Sequence, residues 1–308
     1  MRPALAVCGY LAFIFVGGAL LAPWLYKLVA FGSTISPLFQ SLARHPFHRF
    51  VDRSFLVMGL VGLWPFLRIV GIVSWAEIGL GRRSGARWRL LGLGFSVGFV
   101  SLLIAAILNV LAGNRAWNDE HTFSAIVRHL MNAATAAAIV SLLEELFFRG
   151  ALFGALRRSF EWRFALVIGS ALYAILHFFQ RPPAPEDVHW FSGLVTLKQM
   201  LRGLIDLERL VPGFFALMLA GWILGLAYQR TGSLYVSIGL HAGWIFWLKS
   251  YGFLTHEETA TKQWLWGTGK LIDGWIALIV LVAVLAGASR WLESKHAAAA
   301  PRYVRLSR

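Results

Sequence analysis

Three charged side chains, Glu144, Glu145 and Arg149, sit inside a long apolar segment that begins near Ala125. If that segment is a helix in lipid, each charge at mid-depth costs about 2.5–3.5 kcal/mol, and three facing acyl chains would cost about 8–10 kcal/mol. A helix that carries them must turn them toward partners or water. Spacing supplies one partner: Glu145 and Arg149 are four apart, so they share a face and can pair. Glu144 lies about 100° around the helix from Glu145 and does not share that spacing.

The rest of the chain sets the same constraint. Only 14% of its 308 residues are charged and 58% are hydrophobic, against about 25% charged in a soluble domain. The net charge of +14 does not signal nucleic-acid binding. The basic residues fall in short runs between apolar spans: Arg82, Arg83, Arg87 and Arg89; Arg157, Arg158 and Arg163; Arg302, Arg305 and Arg308. That is the pattern of cytoplasmic linkers facing anionic lipid. The single cysteine, Cys8, rules out an intramolecular disulfide and a cysteine-based metal site.

These features predict an all-α polytopic membrane protein with about eight spans, forming one transmembrane domain over residues 1–308. The spans are Ala4 to Tyr26, Phe55 to Val73, Leu90 to Leu111, Ala125 to about Arg158, Arg163 to Phe179, Val211 to Tyr228, Leu234 to Leu248 and Leu271 to Ala288. Phe31 to Arg53 reads as interfacial, and Arg68 interrupts the second span, so one of its faces should meet protein or water. Gly113 to His121 reads as a polar loop, and a short amphipathic helix is expected over Leu197 to Leu207. Eight spans and the basic linkers put both termini on the cytoplasmic side, with a bacterial inner membrane the expected location.

Two histidines are out of place in apolar spans, His177 and His241. Gly239 and Gly243 flank His241 and should keep its surroundings open and let another backbone approach. With Glu144, the histidines give one carboxylate and two imidazoles on the fourth, fifth and seventh spans, which predicts a polar intramembrane cavity between those helices. A carboxylate can act as general base toward water, and an imidazole can polarise a carbonyl or hold an oxyanion. The same three residues could instead hold zinc with an open position for water. Tyr173, four before His177, reads as core or as a partner that orients the ring. His256-Glu257 begins like a zincin motif, but the fifth position is Ala260 and the segment is a loop.

Glu144-Glu145-x-x-x-Arg149 resembles the EExxxR motif of the CAAX-protease and bacteriocin-processing family, which includes type II CAAX-prenyl proteases. Tyr173-x-x-x-His177 is similar to that family's FxxxH motif, with tyrosine for phenylalanine. His241 is similar to the histidine of its HxxxN motif, with Ile245 where the asparagine stands. The resemblance covers Ala125 to Leu248. It implies an intramembrane endopeptidase in which Glu144 activates water, His177 assists, His241 contacts the scissile carbonyl or its oxyanion, and Glu145, Arg149 and Tyr173 support the site. Asn132 or Ser237 could stand in for the missing asparagine. The implied partners are a peptide or protein substrate in the membrane and the lipid bilayer, with no nucleic acid. No tight ligand pair such as HExxH is present, so a metal-independent glutamic mechanism is expected, with zinc on Glu144, His177 and His241 as its alternative. Two rival readings are a proteolytically silent family member, for which Ile245 speaks, and a proton- or cation-coupled transporter, which would often show an internal repeat that this sequence lacks.

Overall fold

A computed structural model describes residues 3–81, 84–205, 211, 213–258 and 263–299. Each of the eight apolar segments carries a helix. In chain order the helices are α1 (Pro3–Ser33), α2 (Pro37–Ala43), α3 (Phe47–Ile69), α4 (Ser84–Leu111), α5 (Phe123–Leu156), α6 (Trp162–His177), α7 (Ser192–Leu201), α8 (Gly213–Thr231), α9 (Leu234–Leu254), α10 (Gln263–Trp266) and α11 (Trp275–Ala299). Among the described residues four helices, α1, α3, α4 and α5, are long and apolar enough to cross a membrane by length and composition. Helix α6 is apolar but has 16 residues, about 24 Å of rise against a hydrocarbon core of about 30 Å.

The boundaries differ from expectation in the first third of the chain. Helix α1 runs on to Ser33, and α3 begins at Phe47, directly after Pro46 in extended conformation. The stretch read as interfacial is therefore the end of α1, the short α2 and the first turns of α3. Arg68 does not break a span. It lies exposed in the last turn of α3, with its guanidinium 4.9 Å from the centre of the Trp64 ring, where a long side chain can reach water while its stem stays on apolar surface. The expected amphipathic helix is α7, followed by a 3-10 turn at Arg202–Leu204; its expected end at Leu207 lies outside the described residues. So do Arg82, Arg83, Arg302, Arg305, Arg308 and Ala260.

The chain divides into two compact units, Met1–Gly81 with Glu144–Phe214, and Arg82–Leu143 with Phe215–Arg308. In the first, α3 packs against α1, α7 and the C-terminal part of α5. Two π-helical segments, Phe13–Gly17 in α1 and Leu146–Phe153 in α5, both lie against α3. The Tyr10 hydroxyl donates to the Gly59 carbonyl at 2.7 Å, and its ring stacks on Phe66. Pro23 lacks the N–H that would bond the Ala19 carbonyl, and the Gly193 backbone of α7 rests on that carbonyl.

In the second unit, α4 and α9 run in backbone contact. Gly94 and Gly98 of α4 lie against the carbonyls of Val236 and Leu240, while Gly239 and Gly243 of α9 lie against Leu91, Phe95 and Phe99. These are two interlocked small-xxx-small pairs, the device that lets membrane helices approach closely. The Trp244 indole donates to the Ser101 hydroxyl at 2.9 Å across the same seam. The loop expected at Gly113 to His121 contains a short strand, β1 (Arg115–Trp117), antiparallel to β2 (Thr255–Glu257). Buried Arg115 fixes this ladder by donating to the Thr255 hydroxyl at 2.8 Å and its carbonyl at 2.7 Å.

The seam makes a sharp stability prediction. A methyl group at Gly98 runs into the Leu240 backbone, whereas one at Gly92 meets nothing within 4 Å. Gly98→Ala should lower thermal stability in detergent by about 1–3 kcal/mol, as overpacking does. Gly92→Ala should leave it equal or raised by about 0.5–1 kcal/mol through helix propensity. Equal behaviour of the two variants would count against the α4–α9 contact.

Candidate active site

The site in the first unit is built where α5 leaves the α-helical register. Glu145 closes the α-helical part, and Leu146–Phe153 continues as π-helix. Such segments are rare and concentrate at functional positions. The Glu145–Arg149 pair forms as the spacing requires: Arg149 Nη1 donates to Glu145 Oε1 at 2.8 Å, with the Glu145 side chain 0% and the Arg149 side chain 3% exposed.

Helix α6 brings the second half. The Arg149 guanidinium stands 4.7 Å from the centre of the Tyr173 ring, and the Phe148 ring meets the same tyrosine edge-on at 5.1 Å. On its other side Tyr173 carries His177, the last residue of α6, with ring centroids 4.4 Å apart. Tyr173 does orient the histidine, but through its backbone. His177 Nδ1 lies 2.7 Å from the Tyr173 carbonyl. A carbonyl only accepts, so Nδ1 holds the hydrogen and the neutral ring presents its lone pair at Nε2. That Nε2 faces Glu144 Oε2 at 3.8 Å, both side chains partly exposed at 31% and 27%. Glu144, Glu145, Arg149, Tyr173 and His177 are thus brought together within one unit. Glu145, Arg149 and Tyr173 form its buried floor, and Glu144 with His177 a partly exposed carboxylate–imidazole pair.

His241 belongs to the second unit, on α9, where it is 4% exposed. The expectation that its flanking glycines keep it uncrowded is corrected. Positions two residues away point about 200° around a helix, and Gly239 and Gly243 face α4 instead. Their predicted close backbone approach is present. Ile245, one turn on, is 6% exposed. Ser237, one turn back, is fully buried and donates to the Leu224 carbonyl at 2.9 Å, so its hydrogen is already engaged. Asn132 is exposed on α5.

A catalytic zinc takes three protein ligands. Glu144 and His177 supply two donors, and among the described residues no group of three or more His, Cys, Asp and Glu side chains is placed to hold a metal ion. Within this unit Glu144 and His177 offer a carboxylate and an imidazole, residue types able to act as base and acid. The π segment and the His177–carbonyl bond escaped the sequence reading, since neither hydrogen-bond register nor ring tautomer has a residue-type signature.

Residues 126–247 match the family model described as type II CAAX prenyl endopeptidase Rce1-like. No curated protein and no solved structure matches the chain. That segment is similar to the family that the three motifs resemble. Four helices long and apolar enough to cross a membrane make the chain an integral membrane protein, and its segment 126–247 is similar to a protease family.

Proposed function

We propose that this Rce1-like chain is an intramembrane endopeptidase that hydrolyses a membrane-associated or C-terminal-tail peptide by Glu144-activated water, without a metal. The observation that carries it is the 3.8 Å separation of Glu144 Oε2 and His177 Nε2. Two acceptors at that distance are too far apart for a direct hydrogen bond, and a water admitted between them would bond both. That water donates one hydrogen to each. Glu144 takes the proton as the oxygen attacks the peptide carbon, the C–N bond breaks as the tetrahedral intermediate collapses, and the proton passes to the leaving amine. Arg149 pairs with Glu145, and Glu144, with His177 beside it, is the reacting base. The motif resemblance implies a carbonyl-polarising role for His241. The basic linkers orient the chain with both termini in the cytoplasm of a bacterial inner membrane.

Ile245, buried on α9, favours a second reading, a family member that has kept the fold and lost proteolysis. Comparing the membrane proteomes of a deletion strain and a Glu144→Gln strain separates the two. A shared set of accumulating uncleaved peptides is expected for a protease. A Glu144→Gln proteome identical to wild type supports the silent member.

His177→Ala should lower turnover by about 10²–10³-fold, within the range of a lost acid–base group. The fold should survive, because the ring sits partly exposed at a helix end. Turnover and unfolding temperature of the purified variant, read together, check this. Stoichiometric zinc in active protein, with reversible loss of activity on chelation, would overturn the metal-independent mechanism.

A further inference from the structure

Helix α7 carries its side chains in an unusual order. Its inward face is small or polar: Ser192, Gly193 and Thr196 are buried, with Met200 closing a cluster that includes Ala22, Phe47 and Val51. Its outward stripe follows the helical spacing i, i+4, i+7, i+11, and all four positions, Phe191, Val195, Lys198 and Arg202, are exposed. Phe191 and Val195 are 42% and 46% exposed, and the adjoining Trp190 is 63% exposed. The stripe is thus aromatic and aliphatic at its N-terminal end and cationic at its C-terminal end, where positive charge also complements the helix dipole. In water such a surface is a liability. At a bilayer it is an anchor: Trp and apolar groups enter the headgroup–acyl boundary, and cations meet anionic headgroups.

The far end of α7 is fastened to the chain that follows His177. Gln180 N–H donates to the Met200 carbonyl at 3.0 Å. The Gly203 backbone rests on the Phe178 carbonyl, where a side chain would not fit. At the other end Gly193 rests on the Ala19 carbonyl that Pro23 leaves without its helical donor. A force on α7 therefore reaches the residue next to His177 through backbone contacts rather than through flexible side chains.

We propose that α7 is an anionic-lipid contact: Trp190, Phe191 and Val195 enter the acyl boundary, Lys198 and Arg202 hold anionic headgroups, and this docking fixes the segment that positions His177. The lipid contact stands on the geometry of α7 alone, and its effect on His177 rests on the proposed function.

The test uses the full chain with Cys8→Ser and Val195→Cys, the new thiol carrying an environment-sensitive fluorophore. The protein is reconstituted in phosphatidylcholine vesicles or in an equal mixture with phosphatidylglycerol. Acyl-brominated lipids should quench the probe, aqueous iodide should not, and brominated phosphatidylglycerol should quench more strongly than brominated phosphatidylcholine. Lys198→Gln and Arg202→Gln should each weaken that preference by about five-fold, the effect of one cation near an anionic surface. A probe at Ala184, in the exposed loop before α7, is the aqueous control. Iodide quenching at Val195 equal to that at Ala184 overturns the proposal. So does equal quenching by the two brominated lipids, the result expected if α7 instead meets a neutral acyl chain or a partner helix. Peptide hydrolysis should rise in the anionic vesicles. Quenching as expected with no hydrolysis in any vesicle leaves the lipid contact standing and removes the protease reading.

Discussion

Glu144→Gln should reduce peptide hydrolysis by about 10²–10⁴-fold, the range of a lost general base, while the protein remains folded. Glutamine keeps the size of the side chain and one carbonyl oxygen, so packing is preserved and the proton acceptor is lost. The side chain is partly exposed, 27%, so the near-isosteric amide disturbs little packing. A base acts on the proton that moves only in the transition state, so kcat and kcat/KM should fall together with KM little changed. Glu145→Gln is the informative contrast. It leaves the 3%-exposed Arg149 guanidinium facing a neutral amide, so its damage should appear first as lost stability. Full turnover by a folded Glu144→Gln chain on a verified substrate would end the glutamic reading, and the carboxylate would then be structural or ion-coupling.

The parts of this protein that were legible in sequence are those set by local rules. Each long apolar run carries a helix, four of them long and apolar enough to cross a membrane, because a lipid-facing backbone must bond to itself. The four-residue spacing of Glu145 and Arg149 gave their pair, and the Tyr173-x-x-x-His177 motif put His177 beside Glu144. What was missed depends on neighbours that a linear reading does not reveal. Gly239 and Gly243 were visible, but Gly94 and Gly98 acquire meaning only once α4 and α9 are known to touch. Arg49 and Arg53 read as interfacial, yet they occupy the first turns of α3 with exposed side chains, since long cationic stems let a helix begin in polar surroundings. The π segment at Leu146–Phe153 lies against both α3 and α6, and its register is a product of that packing rather than of residue propensity. His241 shows the opposite failure. The glycines around it were expected to leave it uncrowded and to admit another backbone, and only the second holds: they face α4 while His241 is buried.

Arg149→Ala should destabilise the protein by about 3–5 kcal/mol, the cost of breaking a buried ion pair. Glu145 is 0% exposed, so after the substitution its carboxylate must stay buried without its cation, take up a proton or drag water inward. The same guanidinium also covers the Tyr173 ring at 4.7 Å, a contact of about 0.5–2 kcal/mol that disappears with it. Arg149→Lys should restore only part of the loss, because an ammonium neither matches the guanidinium's planar fork nor stacks on the ring as well. A double variant separates charge from packing. Replacing Arg149 and Glu145 together by Met and Leu removes both charges and should recover much of the stability, since buried pairs exchange well for apolar groups of similar volume. It should not recover activity: Tyr173, released from the guanidinium, is the residue whose ring and carbonyl hold His177. Unfolding temperature and turnover for Arg149→Met, Glu145→Leu, the double variant and the unaltered chain form a closed cycle. Native-like stability of Arg149→Ala would show that the pair is hydrated rather than buried, and the accessible pair above it would lose its fixed floor.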